Sequence, residues 1–81
     1  VAFVYILRCG DGTLYTGSAK DLAARLRMHR RGKASRYTRG RLPVTLLWSC
    51  ELATWGEALR EEHRIKQLPR RLKQALAAGI A

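Results

Sequence analysis

Val4-Tyr5-Ile6-Leu7-Arg8-Cys9-Gly10-Asp11-Gly12-Thr13-Leu14-Tyr15-Thr16-Gly17 is two runs of strand-forming residues joined by turn chemistry. Ala2 to Cys9 is nearly all apolar, as a strand covered on both faces should be. Gly10-Asp11-Gly12 turns the chain, and Thr13 to Gly17 returns as a second strand. The length of the turn decides what the hairpin displays. With a three-residue loop and Gly12 at φ > 0, Leu7 lies opposite Tyr15, and Tyr5 and Tyr15 share a face. A two-residue loop puts the two tyrosines on opposite faces.

Ser18-Ala19-Lys20-Asp21 follows the hairpin and reads as a capping box with Ser18 as N-cap. Its helix should run to about Arg31 and stop at Gly32, with Ala19, Leu22, Ala23 and Leu26 as its apolar stripe. Arg25 and His29 are i,i+4 neighbours beside that stripe. Arg30 to Arg41 reads as a loop. Pro43 opens a third strand in which Val44, Leu46, Trp48, Cys50 and Leu52 alternate with Thr45, Leu47, Ser49 and Glu51. Thr54-Trp55-Gly56-Glu57 is a second capping box. The helix behind it turns Trp55, Ala58, Leu59, Ile65 and Leu68 inward, with Glu62 near the middle of that stripe and Glu61 near one edge. Pro69 starts a last helix that packs Leu72, Ala75 and Leu76 and ends at Gly79. The expected fold is one α+β domain over residues 1–81: a small three-stranded antiparallel sheet with flanking helices, in the order β-β-α-β-α-α.

The 81 residues carry a formal charge of +10, from sixteen Lys and Arg against six acids. No acid stands between Leu22 and Cys50. A field of this sign attracts polyanions and points to nucleic acid as partner. Two cysteines, Cys9 and Cys50, in apolar runs far from either histidine, read as reduced thiols in a cytoplasmic protein rather than as a zinc site. The sequence shows no secretory leader and no apolar run of membrane length.

Several side chains have the chemistry to act on a phosphate backbone. Tyr5 and Tyr15 on one face, beside Arg25 and His29, would make a cluster in which the cations help a phenol lose its proton. Arg25 has the fork to steady a non-bridging phosphate oxygen. A carboxylate from Glu61 or Glu62 suits one hard cation that keeps its waters and shares phosphate oxygens. Arg36, Arg39 and Arg41 around Tyr37 suit phosphate contact with base stacking. His63 has no evident partner.

These residues resemble the GIY-YIG nuclease domain, in its small single-domain bacterial branch, over essentially the whole chain. Phe3-Val4-Tyr5 stands where the family has its first signature, with Phe3 and Val4 in the places of its glycine and isoleucine. Tyr15-Thr16-Gly17 matches the second signature. Ser18-Ala19-Lys20-Asp21-Leu22, then Arg25 and His29, continue it, as do Tyr37-Thr38-Arg39-Gly40-Arg41-Leu42-Pro43 and Arg60-Glu61 followed by Ile65-Lys66. The resemblance implies phosphodiester hydrolysis with one divalent metal, and the leading reading is a metal-dependent endonuclease on DNA, structured or branched DNA included, with RNA also open. A nuclease this small, with no evident separate targeting domain, would act with a protein partner that supplies targeting or with low sequence specificity. The alternative is a nucleic-acid-binding module of the same fold with little hydrolysis. By this resemblance Tyr5, or else Tyr15, handles the attacking water with help from His29, and Arg25 steadies the phosphate. Glu61 binds one Mg²⁺ or Mn²⁺, its place before Ile65-Lys66 choosing it over Glu62. Gly17 admits the substrate backbone, and Lys20 assists the nucleophile or the phosphate. The late asparagine of some members has no counterpart here.

Overall fold

The hairpin closes as the three-residue reading requires. In the computed structural model, which describes residues 1–79, β1 (Ala2–Arg8) pairs antiparallel with β2 (Leu14–Ala19). Leu7 stands opposite Tyr15 and Tyr5 opposite Gly17, and Gly12 takes φ +85°. Third in the sheet, β3 (Thr45–Leu52) pairs antiparallel on the other side of β1, giving the order β2-β1-β3. The central strand is therefore the most apolar one. Both of its faces are covered, as its unbroken hydrophobic run demands.

Two helical layers do the covering. On one face α1 (Leu22–Arg30) lays Leu22 and Leu26 over Tyr5, Leu7, Cys9 and Ala19. On the other, α3 (Trp55–Lys66) and α4 (Arg70–Ala77) bring Ala58, Ile65 and Leu76 onto Ala2, Val4 and Ile6, with Leu68 joining them from the connection between the helices. The capping box of α3 forms as the sequence prescribes: Thr54 Oγ1 accepts from the Glu57 N–H at 3.1 Å, and the Glu57 carboxylate accepts from the Thr54 N–H at 3.1 Å. Among the described residues no helix is long and apolar enough to cross a membrane. Both cysteines are free; Cys9 is buried and Cys50 half-buried.

Five local expectations are corrected. Ser18 is not an N-cap. Its pairing with Val4, and that of Ala19 with Phe3, carry β2 on to Ala19. Asp21 caps α1 instead, its carboxylate accepting from the Ala24 N–H at 3.0 Å. Starting the helix later turns its stripe, so Leu22, Leu26 and His29 (i, i+4, i+7) face the sheet and Ala23 faces water. Trp55 and Leu59, expected inward on α3, are 36% and 45% exposed. The segment read as loop contains a one-turn helix, α2 (Arg36–Arg39), whose N-cap Ser35 accepts from the Tyr37 N–H. Finally, the alternation of β3 is broken. Ile6 faces Trp48 while Leu7 faces Leu46, so Leu47 is an extra residue in a β-bulge. Trp48 and Leu52 consequently pack with α3 and α4, but Leu46 and Val44 pack with α1.

Candidate active site

Three residues the sequence placed together do meet. Tyr5, on β1, and Tyr15, on β2, share the face covered by α1, and His29, from the last turn of α1, comes down between them. The Tyr5 hydroxyl lies 2.8 Å from His29 Nε2. The His29 ring is edge-on to both phenols, with centroids 5.6 Å from Tyr5 and 5.3 Å from Tyr15. His29 and Tyr5 are 1% and 2% exposed, so bulk water is kept from their hydrogen bond.

The other imidazole nitrogen fixes the tautomer. His29 Nδ1 is 2.9 Å from Thr38 Oγ1, which in turn approaches the Ser35 carbonyl at 3.4 Å. A carbonyl can only accept, so the threonine hydroxyl gives its proton to Ser35 and receives one from Nδ1–H. Nε2 is left with its lone pair toward the Tyr5 hydroxyl. The ionisation equilibria agree. Burial holds the His29 pKa below its ordinary value, with the Arg25 charge adding to the effect. Burial also drives the Tyr5 phenol far above its ordinary range, Tyr15 and Glu62 raising it further and Arg25 opposing them. The resting pair is a neutral phenol donating to a neutral imidazole. Thr38, fully buried, was given no role by the sequence; its signs were a hydroxyl inside a basic segment and a place in the Tyr37-to-Pro43 stretch that carries part of the resemblance.

The carboxylate is the main departure from expectation. Glu61 turns outward and forms a two-pronged ion pair with Arg64, at 2.6 and 3.0 Å, which lowers the pKa of its carboxyl. Glu62 faces the sheet instead. One of its oxygens accepts from the Ser18 hydroxyl and the other lies 2.8 Å from Lys66 Nζ. Its charge reaches Tyr5, and Lys66 feels Tyr15. The signal was available: Ala58, Glu62 and Ile65 are spaced i, i+4, i+7, and both neighbours are core. Ser18 lies on the opposite sheet face from the tyrosines. The site is therefore assembled around β2, an edge strand, with phenols and imidazole from one layer and the carboxylate from the other.

Gly17 is opposite Tyr5, and a Cβ there would stand 2.6 Å from the phenol oxygen and 2.7 Å from Cζ. The space above Gly17 thus belongs to the Tyr5 ring rather than to a substrate backbone. Arg25 is exposed, with its charge felt at both Tyr5 and His29. Lys20 is drawn elsewhere, its ammonium 5.5 Å from the centroid of the Trp55 ring. Tyr37 stacks on Tyr15 at 5.7 Å between centroids. Arg41 is committed to partners within the chain: it pairs with Asp11 at 3.0 Å, donates to the Tyr37 carbonyl at 2.8 Å and lies 4.0 Å above the Tyr37 ring. Of the three arginines read as phosphate contacts, Arg36 and Arg39 stay exposed and Arg41 props Tyr37.

A metal fits here in one manner only. Among the described residues no three His, Cys, Asp or Glu gather, so the protein builds no closed cage. Glu62 opens onto a recess of about 220 Å³ lined by Leu59, His63 and Lys66. A single half-buried carboxylate beside a hydroxyl is the donor set of a hard ion that keeps most of its waters.

The GIY-YIG catalytic domain matches residues 1–75. A UPF0213 protein of Nitratidesulfovibrio vulgaris is 50% identical over 80 residues, spanning 99% of this chain and 73% of its own. One from Oceanobacillus iheyensis is 53% identical over 68 residues, covering 84% of this chain and 79% of its own. The solution NMR structure of a UPF0213 protein from Bacillus halodurans superposes with a TM-score of 0.61 at 42% identity, covering 95% of this chain and 82% of that one. With the tyrosine pair, the histidine and the α3 carboxylate that meets β2 already in place, these likenesses agree: the chain belongs to the GIY-YIG nuclease family.

Proposed function

We propose that this protein is a metal-dependent endonuclease that hydrolyses phosphodiester bonds in DNA, acting through Tyr5, His29, Arg25 and Glu62. The observation that carries the reading is the enclosed chain Tyr5–His29–Thr38, aimed at the edge of β2 where Glu62 arrives. A standing phenolate at Tyr5 is too costly, given its raised pKa. The phenol instead acts as a relay. As water attacks phosphorus, its proton passes to the Tyr5 oxygen while the phenol proton moves to His29 Nε2. Tyr5 ends neutral and His29 charged, with Thr38 accepting from Nδ1–H throughout. The bond from phosphorus to the leaving sugar oxygen breaks, and solvent supplies that oxygen's proton. Arg25 steadies the charge that grows on the non-bridging oxygens. Glu62, with Ser18 holding one oxygen, is the residue that would hold Mg²⁺ or Mn²⁺, and the ion would supply charge neutralisation at the phosphate.

One observation favours the alternative, a binding module without hydrolysis. Lys66 already neutralises Glu62, and a cation must displace or share that contact. A cleavage assay decides. Labelled duplex, branched and single-stranded DNA, with RNA counterparts, are incubated with Mg²⁺, Mn²⁺ or EDTA. Tyr5→Phe should lower the rate by about 100-fold or more, and Glu62→Gln should abolish metal-dependent cleavage. Glu61→Gln should stay within about threefold of wild type, since its partner is Arg64 at the surface. Binding without metal-dependent cleavage of any substrate would establish the binding module instead.

A further inference from the structure

Between α1 and the start of α3 lies a cavity of about 560 Å³ that the chemistry above does not use. Ala24 and Met28 of α1 and Trp55 of α3 give it apolar walls. Met28 and Trp55 are 40% and 36% exposed, so a thioether and an indole stand open to water around one hollow. Lys20, Arg25 and Lys33 also line it. Asp21 does too, but its carboxylate is committed to the Ala24 N–H. Aromatic surface ringed by cations is the composition that takes a base on its flat face and a phosphate on its flank. The volume falls within the range of roughly 300–1,000 Å³ usual for small-molecule sites.

We propose that this cavity receives an unpaired nucleotide of the substrate strand, its base against Trp55 and Met28 and its phosphates on Lys20, Arg25 and Lys33. The inference rests on the nuclease reading and names its substrate class: DNA that carries single-stranded nucleotides next to the scissile bond. Duplex DNA hides the faces of its bases in the stack, and only an unpaired base has one to offer to Trp55. Arg25 belongs both to the cavity and to the surroundings of Tyr5 and His29. A nucleotide seated there is therefore neighbour to the phosphate that Arg25 steadies. The three cations select an anionic guest over a neutral apolar one. Lys20, displaced from the tyrosines, finds its use in this site.

The test is a binding measurement in EDTA at fixed salt, using a fully paired duplex and the same duplex extended by a single-stranded arm. Trp55→Ala should weaken binding of the armed DNA about tenfold and that of the duplex less than about twofold. Trp55→Phe, which keeps a flat ring, should restore most of the loss and shows that the fold tolerates change at this position. Equal weakening on both DNAs, or none on the armed one, overturns the cavity assignment. Failure of the wild-type protein to bind either DNA overturns the nuclease reading and the cavity together. Selective binding without cleavage in Mg²⁺ leaves the cavity standing and overturns only the nuclease reading.

Discussion

Gly17 and Tyr5 behave as one unit at the residue scale. The phenol fills the volume where any side chain at position 17 would begin. Gly17→Ala should therefore destabilise the fold by about 1–3 kcal/mol, the usual range for overpacking. Tyr5→Phe should not relieve it, because ring carbon Cζ is as close as the oxygen. Tyr5→Leu, which withdraws both atoms, should, so a double-mutant cycle in urea will show strong coupling. His29 gives a second expectation, in pH. Its folded pKa lies below the ordinary value near 6.5. Above about pH 6.5 both folded and unfolded states are neutral there and stability is complete. As pH falls below that value the unfolded chain takes up the proton first, and stability declines until the folded pKa is passed. Urea midpoints between about pH 5 and 7.5 should show this slope in the wild type and a smaller one in His29→Gln. Glu61 and Asp11, whose pKa values are also lowered, act in a more acidic window and do not obscure it. Cleavage should rise with pH through the folded pKa, at the acid end of that window, since only neutral His29 accepts a proton from Tyr5.

Among the elements, β3 carries the least expected feature. Leu47 is the extra residue of its bulge and is 37% exposed. Deleting it would leave Trp48 opposite Ile6 and Leu46 opposite Leu7, now in a regular ladder. Shortening this strand should cost only about 1 kcal/mol, a fall of roughly 4–8 °C in Tm. Deleting Thr16 from the unbulged β2 instead moves Tyr15 to the opposite face, and calorimetry should find no cooperative transition. The bulge also shows where sequence pattern stops informing. Alternation places Leu46 and Trp48 on one face, and only pairing with β1 reveals that they part. The hairpin was legible because Gly10-Asp11-Gly12 is turn chemistry, but the faces of the tyrosines hung on the length of that turn, which only the pairing of Leu7 with Tyr15 settles. Ser18 was misplaced because a serine can cap a helix as readily as pair in a strand, and the choice fell to long-range contacts with Val4. Glu62 was within reach from helical spacing, but the resemblance drew the assignment to Glu61. Thr38 was not legible, since its meaning depends on a histidine that a separate helix delivers.

For the molecule as a whole, the governing quantity is +10. Among the described residues only Arg41, Arg64 and Lys66 of the sixteen cations are ion-paired. Like charges this dense oppose compaction, and a polyanion that binds the folded form relieves them. Salt should therefore have two opposite effects in thermal melts. It should raise the Tm of the free protein by screening, and shrink the increment that added DNA produces, about 2.7 kcal/mol at a hundredfold excess over Kd. The strand order β2-β1-β3 carries one more implication. Both outer strands keep one unpaired margin, and the proposed reaction centre draws Tyr15 and the Ser18–Glu62 contact from β2. A peptide that added itself there as a fourth strand would crowd that proposed centre through its backbone alone, whereas one that joined β3 would leave it open. On the nuclease reading proposed above, an inhibitor has a backbone to imitate as well as a phosphate.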